Sequence, residues 1–327
     1  MLSGNRAEAM AILDRYMDEV GSARDRRLAL SASVLRRRIS ERFVEQRYAA
    51  PPEPPFVGRE DVLQLMVEKM QEAVAGRSAI VYLWGEPGIG KTRLLDELAK
   101  VAHVQGVRLE RYTVSPNDPD RPLALFSSIL PRMMSMPGAV GISPESYEAI
   151  QRFIDPSAWE RVEPPRTAEE AAQVFARLRA GICELFEALA DERALGLFVD
   201  DVHWADQRSI EVLSELVEQV RGRRVVFVLT SRDPCKGTSR GSLDALCARA
   251  AVRRLDGLAA DEVEKLLAQI AEQRNFALTS AFVRRTVDTS AGNPLFVSEL
   301  ATHYGWNGVR DDLPHNLQTL LQKRLDA

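Results

Sequence analysis

At 327 residues, with 45% apolar and 28% charged side chains, the chain has the balance of an ordinary globular protein and room for two domains. No stretch approaches the roughly 20 consecutive apolar residues of a membrane span, and the first twenty residues lack a hydrophobic signal core, so a cytoplasmic protein without a membrane partner is expected. A formal net charge of −4 excludes a globally basic nucleic-acid binder, and Cys183, Cys235 and Cys247 are spaced too widely for a disulfide framework or a zinc pattern.

The first predicted element is a helix over 6–21, RAEAMAILDRYMDEVG, apolar along Ala7, Met10, Ala11, Leu13, Met17 and Val20 and ended by Gly21. A second covers 24–47, where eight arginines against Asp25, Glu41 and Glu45 give a local net charge of +5. Leu28, Ala32, Leu35, Ile39 and Phe43 recur at three- and four-residue steps, which turns most of the arginines outward as a solvated face or, alternatively, a nucleic-acid or partner surface. Residues 1–49 thus read as a helical hairpin too small to bury much by itself. APPEPP at 50–55 stops helix formation and reads as a stiff linker.

From residue 79 the pattern changes. AIVYLW at 79–84, LGLFVD at 195–200 and RVVFVLTS at 224–231 are fully apolar, β-rich runs separated by helical patterns, the mark of a mostly parallel sheet covered on both faces. GVRLERYTV at 106–114 and ARAAVRRLDGL at 248–258 bring the expected strands to five. After 258, helices are predicted over 260–272, 280–292 and 294–304, with a last one in NLQTLLQKRLDA at 316–327. The expected organisation is a core over 56–258 followed by a helical lid over 259–327.

GEPGIGKT at 85–92 matches G-x-x-x-x-G-K-[ST] in full, between a predicted strand and a predicted helix. Gly85, Gly88 and Gly90 let the backbone curl so that its amides point at phosphate oxygens, and the following helix presents its positive end to the same charge. Lys91 supplies an ammonium that can follow the β- and γ-phosphates, and the Thr92 hydroxyl is placed to bind Mg²⁺. Asp96 and Glu97, one turn on, read as solvated helix residues.

A phosphate loop gives the aspartates after LGLFV a partner. Asp200, at the end of a buried strand, is the first choice for the carboxylate that faces Mg²⁺. Asp201 either orients or deprotonates an attacking water, or serves as a supporting or capping carboxylate. His203 has no companion at zinc-ligand spacing, since the other histidines are single residues at 103, 303 and 315, and Trp204 reads as packing. In LTSRD at 229–233, Thr230 or Ser231 can hydrogen-bond the water or the terminal phosphate, and Arg232 can read that phosphate with its fork of donors.

PFVGRE at 55–60, GEPGIGKTRLL at 85–95, LFVDDVHWAD at 197–206, VLTSRD at 228–233 and AGNPLFVSEL at 291–300 stand in the order of one family. Over 55–327 the chain resembles the STAND-class signalling ATPases of the AAA+ superfamily, in particular the ATPase modules of LuxR-type and maltose-regulator-type bacterial transcriptional activators. The resemblance implies an α/β P-loop NTPase three-layer sandwich with a mostly parallel five-stranded sheet of order 5-1-4-3-2, a helical lid, and ATP/ADP with Mg²⁺ as ligands. It gives Arg59 a place at the nucleotide edge, Lys91, Thr92 and Asp200 the phosphate and metal roles, Asp201 the support of hydrolysis and Arg232 the sensing of the terminal phosphate. Gly292 and Pro294 resemble the lid motif whose proline packs beside adenine. The N-terminal helices look like the tail of a tetratricopeptide-like bacterial activation domain, and 316–327 resembles the approach to a winged-helix domain.

The function implied is an ATP/ADP switch with slow hydrolysis, self-associating in its ATP state or contacting sensor and effector domains beyond these residues, while DNA binding is not supported by these residues themselves. A remodelling motor would need a trans-acting arginine, for which the sequence nominates none. A non-catalytic scaffold would use nucleotide only to stabilise its folded state.

Overall fold

A computed structural model describes residues 55–155, 166–232 and 241–307. The predicted hairpin over 1–49, nearly all of the linker over 50–55 and the helix over 316–327 lie outside the described residues. In chain order the described elements are α1 (Glu60–Val74), β1 (Ala79–Trp84), α2 (Lys91–Val104), β2 (Arg108–Thr113), α3 (Ala124–Met133), α4 (Pro144–Ile154), α5 (Ala168–Glu192), β3 (Leu195–Asp200), α6 (Gln207–Gln219), β4 (Val225–Ser231), α7 (Gly241–Cys247), β5 (Ala251–Arg254), α8 (Ala260–Arg274), α9 (Ser280–Ser290) and α10 (Pro294–Asn307).

The five strands form one sheet in the order β2-β3-β4-β1-β5, and every adjacent pair is parallel. Read from the other edge, this is the expected 5-1-4-3-2. β1, β3 and β4 are the inner strands and are buried along nearly their whole length, which is why their sequences are continuously apolar rather than alternating. The edge strands β2 (RLERYT) and β5 (AVRR) carry charge instead, which suits strands with one unpaired side.

Alternation along each strand sorts the core into two layers. Val81 and Leu83 of β1, Phe198 of β3 and Val226 and Val228 of β4 pack with Val62, Met66 and Met70 of α1 and Leu94, Leu95 and Leu98 of α2. Ile80, Tyr82, Leu197, Val199, Phe227 and Leu229 face the other way, onto Phe126 and Ile129 of α3, Phe186 of α5 and Ile210 and Leu213 of α6. Helices on both faces of a parallel sheet make the three-layer sandwich. The lid has its own core, in which Val263, Leu266 and Ile270 of α8 meet Phe282 of α9 and Val297, Leu300 and Tyr304 of α10.

Local chemistry sets several helix starts. Thr167 and Glu170 form a reciprocal capping box at the head of α5. Asp206 caps α6 by accepting from Ser209 N, and its carboxylate also accepts from the amides of Leu123 and Ala124 at the start of α3. One buried carboxylate therefore ties two helices together. Cys183 is a free buried thiol, whereas Cys247 is disulfide-bonded, a pairing the spacing did not announce. Among the described residues no helix is long and apolar enough to cross a membrane.

Candidate functional site

The site lies at the carboxyl ends of the strands, where open α/β sheets place their ligands. β1 ends at Trp84, the loop 85–90 follows, and α2 starts at Lys91. The Gly85 amide donates to Ser231 O at 3.3 Å, which pins the start of the loop to the end of β4. Gly90 has φ 100° and precedes α2 without any side-chain cap. A residue with a Cβ would be strained at that φ, and the first-turn amides of α2 remain directed at the loop.

Lys91 is 7% exposed, and its ammonium donates to Gly85 O at 2.7 Å and Glu86 O at 3.1 Å. Burial lowers its pKa, the nearby charges of Asp201 and Asp200 pull it back up, and Arg232 lowers it again. Those three groups therefore share one electrostatic neighbourhood with the loop lysine. Thr92 Oγ1 donates to Asp200 Oδ2 at 2.8 Å across 108 residues of chain. β3 is the next strand but one from β1, so the link passes over the end of β4.

That crossing explains Thr230. Its hydroxyl donates to Asp200 Oδ1 and accepts from the Asp201 amide at 3.0 Å, so it holds both aspartates from the intervening strand. Asp200 is only 1% exposed. Asp201 leaves the strand with φ 56°, a left-handed conformation that aspartate tolerates better than most residues. The break in strand geometry lets the two neighbouring carboxylates serve the same side of the site. His203 Nδ1 lies 3.9 Å from Asp201 Oδ1, and the His203 ring stacks obliquely on Trp204 with centroids 5.1 Å apart.

The lid meets the loop directly. Asn293 is 5% exposed; its Nδ2 donates to Pro87 O at 3.0 Å, and its Oδ1 accepts from Leu295 N at 3.1 Å. The Leu295 amide also reaches Gly88 O at 3.3 Å. Pro294 follows Asn293 at the first position of α10 and lies beside Gly90, its Cγ 4.0 Å from where a Cβ on that glycine would stand. Arg59 joins the same junction from the head of α1, donating to Ile89 O at 3.4 Å and to Asp256 O. Burial lowers its pKa, against the charges of Glu262, Asp61 and Asp256.

The structure thus brings together Arg59, Gly85, Gly88, Gly90, Lys91, Thr92, Asp200, Asp201, Arg232 and Pro294. Three contributors escaped the sequence reading. Asn293 had a usable signal, an asparagine before a proline at a helix start, which is capping chemistry. Arg111, whose Nη2 lies 3.4 Å from Asp200 Oδ2, had none beyond being a charge on an edge strand. Asp96, read as solvated, is ion-paired with Arg111.

These residues fit a nucleotide with Mg²⁺. The loop and the head of α2 offer amides, Lys91 offers a cation, and the Thr92–Asp200 pair offers two oxygens to a hard divalent ion. Among the described residues no cluster of three or more His, Cys, Asp or Glu side chains could hold a metal by itself. Such an ion would complete its shell with phosphate oxygens and water.

An uncharacterized protein of Rhizobium meliloti (strain 1021) is 25% identical over 281 residues, covering 79% of this chain and 26% of that protein, so the chain spans about a quarter of that relative's length. Among solved structures, Cdc6p from Pyrobaculum aerophilum aligns with a TM-score of 0.49 at 14% identity, over 79% of this chain and 65% of that one. The Aeropyrum pernix Orc1 protein in complex with DNA gives 0.49 at 16% identity, over 83% and 68%. The AAA ATPase domain matches residues 55–229, more than half of the chain, and the protein belongs to that family.

Proposed function

We propose that this chain is an ATP/ADP-responsive switch with slow Mg²⁺-dependent hydrolysis, serving as the nucleotide-binding module of a signalling or transcriptional regulator of the STAND class. The observation that carries the reading is the seat of the lid. Asn293 and Leu295 hydrogen-bond to the carbonyls of Pro87 and Gly88, in the loop whose amides would hold the phosphates. Any change in that loop on exchange of ADP for ATP is felt by α10 without an intermediary. The core over 56–258 and the lid over 259–327 are the two bodies we expect to move, and the exposed result would be self-association or a new contact with sensor or effector domains.

In this reading Lys91 exchanges its hydrogen bonds to Gly85 and Glu86 for phosphate oxygens, and Arg59 and Pro294 border the base and sugar. Thr92 and Asp200 hold Mg²⁺, which would neutralise charge on the terminal phosphates. Asp201 accepts the proton of an attacking water or holds that water in line, with Thr230 fixing its backbone. Arg232 faces the terminal phosphate and separates ATP from ADP.

Asp201→Asn tests the assignment. ATP should still bind within about threefold of the parent, while single-turnover hydrolysis slows about 100-fold or more, in the range general-base removal produces. Unchanged hydrolysis would remove Asp201 from the mechanism. Fast steady-state turnover by the parent, stimulated on assembly, would point to a remodelling motor instead.

A further inference from the structure

Asp200 is buried, and beyond the two threonine hydroxyls a third donor reaches it, the guanidinium of Arg111. No motif contains this arginine. Its position follows from register: Thr113 at the end of β2 pairs with Asp200, and Arg111, two residues earlier, pairs with Phe198. Residues two apart share a sheet face, and Phe198 packs in the layer formed with α1 and α2. Arg111 therefore lies below Asp200 on the α2 side of the sheet.

The other arm of Arg111, Nη1, is ion-paired with Asp96 of α2. Asp96 stands four residues after Thr92, so the two are neighbours on one helix face. The guanidinium is thus divided between Asp96, which is 43% exposed, and Asp200, which is 1% exposed. Its contact with Asp200 is to Oδ2, the same oxygen that takes the Thr92 hydrogen bond.

We propose that Arg111 is a positioning residue that acts as a built-in counter-cation to Asp200, and that its division between Asp200 and Asp96 sets how much Mg²⁺ the site requires. The inference rests on the reading of Asp200 as the Mg²⁺-facing carboxylate. A carboxylate this deeply buried is costly without a compensating charge, and Arg111 supplies one. The same charge opposes a divalent cation approaching Oδ2 at short range. Asp96 relieves the conflict by drawing the guanidinium toward α2, so the two substitutions act in opposite directions.

The test uses Mn²⁺ as a paramagnetic probe on the intact chain with saturating ADP, free Mn²⁺ being read by electron paramagnetic resonance. Arg111→Gln should tighten Mn²⁺ by about threefold to tenfold, as expected for removing one nearby positive charge. Asp96→Asn should weaken it by a similar factor, and Arg111→Lys, which keeps the charge, should stay near the parent. In the Arg111 and Asp96 variants the metal-free affinity for ADP should hold within about twofold, since neither residue borders the nucleotide in the proposed reading. Equal shifts of the same sign in Arg111→Gln and Asp96→Asn, or no shift in either, would overturn the proposal. Should Arg111→Gln fail to fold, Asp96→Asn decides alone, and an unchanged Mn²⁺ affinity refutes it. Asp200→Asn separates the two layers of argument: if that variant binds Mn²⁺ as the parent does, the metal role of Asp200 is what fails.

Discussion

The phosphate loop and the turn that seats the lid are built from the same material, glycines with positive φ, yet they use it for opposite ends. At Gly90, φ is 100° and a Cβ would find its nearest neighbour 4.0 Å away, so the glycine frees a backbone curve and leaves space in front of it. At Gly292, φ is 75° and a Cβ would collide with Leu258 O, because the Leu258 amide donates to Gly292 O at 2.7 Å and the two backbones lie in contact. The loop is open at Gly90 but not at Gly88, where a Cβ would meet Leu295 of the lid, and the lid turn is closed by protein at Gly292. A change at Gly90 should therefore act first on binding, and a change at Gly292 first on lid docking.

The largest effect belongs to the open turn. Lys91→Ala removes the buried ammonium and should weaken ATP and ADP by about 100-fold or more, since losing a charged hydrogen-bonding group costs roughly 3 kcal/mol. Isothermal titration calorimetry reads the loss directly. The lid core of Phe282, Val297 and Tyr304 makes no use of Lys91, so the variant should keep its α8–α10 packing by amide hydrogen exchange. Loss of protection there would show that the two regions are not separable.

This contrast also explains what could be read from the sequence. The open turn is written in residue types, because phosphate chemistry demands glycines, a lysine and a hydroxyl at fixed spacing, and the inner strands announce themselves by continuous apolar runs. β1 and β3 lie at the predicted 79–84 and 195–200. β2 and β5 came out shorter than their predicted runs, because edge strands mix charge with apolar residues and lose the pattern. Thr230 and Ser231 read only as candidates for the water or the terminal phosphate; the bonds of Thr230 to both aspartates follow from β4 lying between β1 and β3, which residue types do not announce. The bonds that join lid to loop end on the carbonyls of Pro87 and Gly88, and backbone acceptors leave no trace in a sequence. Arg111 and Asp96 were invisible for a related reason: their meaning depends on register between β2 and β3.

The closed turn gives the next largest effect. Gly292→Ala forces a side chain into left-handed backbone and against the Leu258 carbonyl, and should destabilise the folded chain by about 3 kcal/mol in urea denaturation. Gly76→Ala is the control. Gly76 has φ 84° but no atom within 4 Å of where the new methyl group would stand, so it should cost only about 1 kcal/mol, the strain of the dihedral alone. Equal costs at the two positions would mean that the backbone contact at Gly292 contributes nothing.

The smallest effect sits where the two turns touch. Asn293 does two things at once: its Oδ1 caps α10 through Leu295 N, and its Nδ2 holds Pro87 O. Asn293→Ala loses both and should cost about 1–2 kcal/mol of stability. Asn293→Ser keeps a capping oxygen but is too short to reach Pro87, so it should recover most of that stability without restoring the link to the loop. If that link is what couples the lid to nucleotide, both variants should release a fluorescent ADP about fivefold to tenfold faster than the parent, the rate expected when roughly 1 kcal/mol of a held state is removed. Stability would then follow the cap and release would follow the link. Faster release in Asn293→Ala alone would assign the effect to the helix end, and Asn293 would hold α10 together without reporting on the loop.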